Sequence, residues 1–114
     1  MRAQRIGAWW SKDAEIEIVA LDEESGEILF GECKWTQRPV EMTALMALRE
    51  KARRVDWRPG QRREHYALFS RSGFSQELLQ AAGRGEVLLF CDPKGGLRLR
   101  GAVGIKCQKS EVQK

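Results

Sequence analysis

The segment Glu15-Ile16-Glu17-Ile18-Val19-Ala20-Leu21 opens with charged and apolar residues in alternation and then turns apolar throughout. Alternation of this kind is the period-2 signature of a strand with one face buried. Asp22-Glu23-Glu24-Ser25-Gly26 has the composition of a turn, and Glu27-Ile28-Leu29-Phe30-Gly31-Glu32-Cys33-Lys34-Trp35 reads as the returning strand of a hairpin. Centring the loop between Glu24 and Ser25 makes the numbers of cross-strand partners sum to 49. Glu17 then lies opposite Glu32 and Glu15 opposite Lys34, a register that a bulge would move. Upstream, Arg5 to Trp10 predicts a short first strand, ended by the polar Ser11-Lys12-Asp13.

From Pro39 to about Val55 the period lengthens. Leu45, Leu48, Ala52 and Val55 recur at steps of three and four, predicting a helix with that stripe buried and with Pro39 in its first turn. Arg58-Pro59-Gly60-Gln61 breaks the pattern, and Glu64 to Ser70 returns to strand, so a βαβ crossover follows. Ser75 suits the cap of a second helix of about ten residues that ends at Gly83 or Gly85. Val87-Leu88-Leu89-Phe90-Cys91 is apolar on both faces, as expected of a central parallel strand covered by helices. After Asp92-Pro93-Lys94-Gly95-Gly96, Leu97 and Leu99 alternate with Arg98 and Arg100 as in an edge strand. The predicted order is β-β-β-α-β-α-β with a final hairpin partner. We expect one α/β domain over residues 1–105 and a polar, frayed tail over 106–114.

A chain of 114 residues, 42% hydrophobic and 32% charged, has room for one core. No apolar run approaches the roughly 20 residues that span a bilayer, and no leader pattern opens the chain, so a cytoplasmic protein without membrane contact is expected. Cys33, Cys91 and Cys107 are odd in number and lack CxxC spacing, and read as reduced packing residues. Residues 1–40 hold 5 Lys and Arg against 8 Asp and Glu, whereas residues 41–114 hold 15 against 8. An acidic patch beside a basic remainder is what a cation site facing a phosphate backbone requires, although an ordinary mixed surface also accounts for the composition.

The candidate chemistry lies on the hairpin. Two carboxylates facing each other across a strand pair repel, and a divalent cation between them reverses the sign. Glu32 and Lys34 project from one face, and the backbone carbonyl of Cys33 between them offers a third oxygen. Glu17, Glu32 and the Cys33 carbonyl are therefore the candidate ligands of Mg2+ or Mn2+, with Lys34 positioning the attacking water and Glu15 as an accessory ligand or tuner of Lys34. ExK alone is a common tripeptide, and Glu and Lys on a hairpin ordinarily form a solvated face. The acidic residue in an apolar strand, the short turn, and ExK closing the next strand ahead of a helix make a more specific arrangement.

The segments Ile6-Gly7-Ala8-Trp9-Trp10, Glu15 to Leu21, Phe30-Gly31-Glu32-Cys33-Lys34-Trp35 and Tyr66-Ala67-Leu68-Phe69-Ser70-Arg71-Ser72-Gly73-Phe74 together resemble the nuclease-like domain at the carboxyl end of archaeal and bacterial DEXX-box ATPases, of the PD-(D/E)xK superfamily. The resemblance implies a three-layer, restriction-endonuclease-like α/β fold with a central mixed β-sheet flanked by helices. It also implies Mg2+- or Mn2+-dependent hydrolysis of phosphodiester bonds in DNA at Glu17, Glu32 and Lys34, and an ATPase as linked domain or partner. That family usually presents Asp where this chain has Glu17, whose longer arm shifts a bound ion by about one methylene. With only Met1 to Gln4 ahead of the first strand, the helix that often opens such domains is not expected here. The alternative is a catalytically inactive module that keeps the nuclease fold for nucleic-acid or protein binding.

Seven cations fall between Arg49 and Arg63, and Arg53, Arg54, Arg58 and Arg62 are the candidate phosphate contacts, against the reading of a solvated helix exterior. Adjacent Trp9 and Trp10 must point to opposite sides of a strand. His65 has no partner constellation and reads as structural, and Gly95-Gly96 lacks the spacing of a phosphate-binding loop. A homodimer would let two sites address two strands.

Overall fold

The computed structural model describes residues 3–91. In chain order the elements are β1 (Arg5–Trp10), β2 (Glu15–Asp22), β3 (Glu27–Lys34), α1 (Met42–Ala52), β4 (Arg63–Ser70), α2 (Gln76–Gly83) and β5 (Leu88–Cys91). They form one five-stranded sheet in the order β1-β2-β3-β4-β5. β1, β2 and β3 pair antiparallel, while β3, β4 and β5 pair parallel, so the sheet is mixed. The α/β class and the sequence of elements are those expected.

Both crossovers advance the sheet in the same direction, and right-handed connections then place both helices on the same face. Leu45, Leu48 and Ala52 of α1 and Leu78 and Ala81 of α2 share one core with Ile28 and Phe30 of β3 and Leu68 of β4. The arrangement is compatible with a three-layer fold. The alternate residues Ile18, Cys33, Ala67 and Phe69 form a second buried cluster on the opposite face of the sheet. Gly31 sits in tight quarters at the centre of that face. A Cβ there would lie 3.2 Å from the Cβ of Ile18 and 3.3 Å from the Phe69 ring.

The hairpin register follows the turn. The pairs Ile18↔Gly31, Val19↔Phe30, Ala20↔Leu29, Leu21↔Ile28 and Asp22↔Glu27 all obey the expected sum of 49. Asp22 organises the turn by accepting the backbone N–H groups of Glu24 (3.1 Å) and Ser25 (3.2 Å), and Gly26 closes it at φ 75.

Three expectations are corrected. Pro39 lies ahead of α1 and not in its first turn, because Val40 forms a parallel bridge with Phe74. Its N–H donates to Gly73 O (2.9 Å) and its carbonyl accepts Ser75 N–H (2.8 Å), which holds the segment extended until Met42. β5 is parallel as expected but is not covered on both faces, since Leu88 is 49% exposed; the strand expected beyond it lies outside the described residues. Cys33 is buried and disulfide-bonded where a reduced thiol was expected, whereas Cys91 is a free, exposed thiol. The edge strand expected around Leu97 to Arg100 and the tail over 106–114 lie outside the described residues.

Other local signals behave as the sequence indicates. Ser75 Oγ accepts Leu78 N–H at 3.3 Å and caps α2. Trp9 is buried and Trp10 is 47% exposed. Among the described residues no helix is long and apolar enough to cross a membrane.

Candidate functional site

A bulge in β2 shapes the acidic end of the hairpin. Gly7 pairs with Val19 and Trp9 with Ile16, so β2 spends one residue more than β1 across Glu17 and Ile18. On its other side, the ladder from β2 to β3 stops at Ile18↔Gly31. Glu17 and Glu32, and likewise Glu15 and Lys34, are therefore not ladder partners, although they continue the same register. Instead the Glu17 side chain crosses the gap, and its Oε1 accepts the backbone N–H of Cys33 at 3.4 Å. In an extended strand the N–H and C=O of one residue point to the same side, so the Cys33 carbonyl is directed toward β2 and Glu17 as well. Glu15 lies further out, opposite Trp10 on β1, and is half-buried.

Glu17 and Glu32 are both buried, at 9% and 6% exposure. Glu32 projects toward the helix layer, where two ammonium groups meet it. Lys34 Nζ lies 3.8 Å from Oε2, and Lys51 of α1 forms an ion pair and hydrogen bond with Oε1. Lys34 is the outer of the two, 42% exposed against 24% for Lys51. It fronts an open cleft of about 340 Å3 that runs to the first turn of α1 and is lined also by Thr36, Glu41, Thr43 and Ala47. The end of β3 thus carries Glu17 on the Cys33 backbone and two ammonium groups on Glu32.

Lys51 appears in the sequence only as one of a run of cations. The signal that places it is its position three residues after Leu48 and one before Ala52, both fully buried. A polar residue flanking a buried stripe on the last turn of a helix is aimed along the sheet surface, where its long arm reaches a buried partner.

The donor set suits a hard cation, since every candidate ligand is an oxygen. Among the described residues no group of three His, Cys, Asp or Glu side chains is assembled to hold a metal ion. With only two buried carboxylates at this end of the hairpin, any ion bound there would draw few ligands from protein side chains and keep most of its water shell.

The arginines divide into two kinds. Arg62 is 5% exposed, and its guanidinium donates to the carbonyls of Ala52 (2.8 Å), Val55 (2.6 Å) and Trp57 (2.9 Å) and to Glu64 (2.8 Å). It closes the C-terminal end of α1 and is committed to that task. Arg53, Arg54 and Arg58 are exposed. Arg53 pairs with Glu50 at 3.1 Å, and Arg58 lies over the Trp57 ring at 4.8 Å. These three sit just beyond the helical turn that carries Lys51.

A second acidic pair, not singled out in the sequence, closes the other end of the hairpin. Asp22 and Glu27 are direct ladder partners and both are buried. Glu27 accepts Ser25 Oγ–H at 2.8 Å and contacts His65 Nε2 at 2.7 Å, with Arg63 at 3.8 Å. The Ser25 hydroxyl first, and the His65 ring second, hold its carboxyl below the usual carboxylate range. His65, for which the sequence showed no partner, thus has one in Glu27.

Comparison with known proteins bears on the amino-terminal part. A family model described as Archaea bacterial proteins of unknown function (DUF234) matches residues 1–54. The matched stretch contains β1, β2, β3 and α1, hence Glu17, Glu32, Lys34 and Lys51 together. No curated protein and no solved structure matches the chain.

Proposed function

We propose that this protein is a metal-dependent nuclease domain that hydrolyses phosphodiester bonds in DNA, using Mg2+ or Mn2+. The observation that carries the reading is the buried carboxylate of Glu32 at the end of β3, with Glu17 reaching across the β2 bulge to the adjacent Cys33 and Lys34 at the mouth of a cleft. A divalent cation bound there supplies Lewis acidity toward a phosphoryl oxygen and lowers the pKa of water. Glu17, Glu32 and the Cys33 carbonyl would hold it. Lys34 orients the attacking water from the cleft side and offsets the charge that builds on the phosphate. Glu15, two residues from Glu17, is the accessory carboxylate. Arg53, Arg54 and Arg58 supply exposed positive charge for a phosphate backbone. Such a substrate fits a cytoplasmic protein, and the resemblance to a domain of DEXX-box ATPases makes an ATPase the expected partner.

Purified protein with Mg2+ or Mn2+ is expected to nick supercoiled plasmid DNA, and chelation with EDTA to stop it. Glu32→Ala and Lys34→Ala are each expected to abolish cleavage. Cleavage indifferent to both substitutions would refute the assignment.

One observation favours a second reading, a nuclease-fold module that binds nucleic acid without cutting it. Lys51 pairs with Glu32 and offsets its charge. That reading predicts salt-sensitive DNA binding with no heat of divalent-ion binding dependent on Glu17 and Glu32.

A further inference from the structure

Lys51 has no part in the mechanism above, yet it is the closest partner of the central carboxylate. The Glu32 side chain is 7% exposed, and a carboxylate so far from water is strongly destabilised without an opposite charge. Lys34 is a weak candidate for that task, being 3.8 Å away and 42% exposed. Lys51 takes the other oxygen directly, from the last turn of α1.

We infer that the Lys51 ammonium is an internal counter-ion for Glu32 that competes with a divalent cation for the same carboxylate, so that the site loads metal only as Lys51 swings out. The inference rests on the metal-site reading above and adds its regulation. A dication on Oε1 would take the place of the ammonium in contact with that atom, and one on Oε2 would still be repelled by it across the carboxylate. Lys34 can turn into its cleft and remain. Lys51 has to leave, and two features make leaving feasible. Its side chain is already 24% exposed, so its flexible four-carbon arm has a short path to water. It also sits in the last turn of a helix, where the negative end of the helix dipole favours a free ammonium.

The consequence is a site that is stable when empty, with metal affinity set by displacement. The test is calorimetric titration of MnCl2 into the wild-type chain, Lys51→Met and Glu32→Gln, with amine labelling of Lys51 in the wild-type protein followed by mass spectrometry. Lys51→Met is expected to bind Mn2+ about tenfold tighter than wild type or better, equivalent to about 1.4 kcal/mol. It should also melt at a lower temperature without metal and gain more on addition of Mn2+. Labelling of Lys51 is expected to rise when Mn2+ is added to wild type, and to be insensitive to Mn2+ in Glu32→Gln. Equal or weaker Mn2+ binding by Lys51→Met, with wild type binding the ion, overturns the counter-ion role and leaves the metal site standing. Absence of Mn2+ binding in both overturns the metal site and this inference together. Should Lys51→Met fail to fold, labelling of the wild type decides alone: a rise with Mn2+ supports displacement, and no rise overturns it.

Discussion

β3 carries a buried glutamate near each end, and the two are held in different ways. Glu27 is fixed by a serine hydroxyl from its own turn, by a histidine ring on β4 and by its place beside Asp22 in the ladder. The groups that hydrogen-bond it are short and stiff, and the long arm of Arg63 stands further off at 3.8 Å. Glu32 lies where the ladder on the β2 side has ended, and two lysines on long arms pair with it. Burial is nearly the same at the two positions, 7% against 6%. The difference lies in the partners. A carboxylate locked by local hydrogen bonds is part of the turn, whereas one balanced by flexible ammonium groups is open to exchange of those cations for another.

The contrast predicts a hierarchy of effects. The largest is at the Glu32 end, where Glu32→Gln is expected to lower metal-dependent DNA cleavage by on the order of a hundredfold or more, the scale of losing a group that stabilises transition-state charge. Glu27→Gln is expected to leave cleavage unchanged, and plasmid nicking with both variants in parallel checks the pair. Equal losses would erase the distinction drawn between the two ends.

Gly31 lies between them, and Gly31→Val is expected to reduce stability by about 1–3 kcal/mol through overpacking against Ile18 and Phe69. Urea denaturation reads this directly, and an unchanged midpoint would mean that the sheet yields there at no cost. Ser25→Ala comes next. Losing the hydroxyl that Glu27 accepts is expected to lower stability slightly at neutral pH, by the same measurement.

The smallest effect concerns acid. The carboxyl of Glu27 is held below the usual range by Ser25 and then His65. Its contribution to stability is therefore complete above the ordinary carboxylate value and is lost as pH falls through the lowered one. Urea midpoints measured over descending pH should fall less steeply in this acidic window for Glu27→Gln than for wild type. A parallel fall in the two proteins would place the acid-sensitive group elsewhere.

Much of this architecture could be read in the residue pattern. Alternation from Glu15 and again from Glu27 marked the two strands, and the acidic turn closed by Gly26 between them set the register of the hairpin. The 3–4 spacing of Leu45, Leu48 and Ala52 determined α1, and Ser75 determined the start of α2. These signals are local, and local geometry decides them. The beginning of α1 was misjudged because Val40 bridges Phe74, a contact between segments far apart in sequence.

The site divides along the same line. Glu17, Glu32 and Lys34 could be singled out from spacing within one hairpin, since side chains of a strand pair meet at fixed offsets. The bulge that lets Glu17 reach Cys33, the commitment of Arg62 to the end of α1, and the arrival of Lys51 at Glu32 were decided only by the tertiary structure. Each depends on how a helix or strand from elsewhere in the chain is seated, and no periodicity within a segment encodes the distance to a partner that only packing brings near.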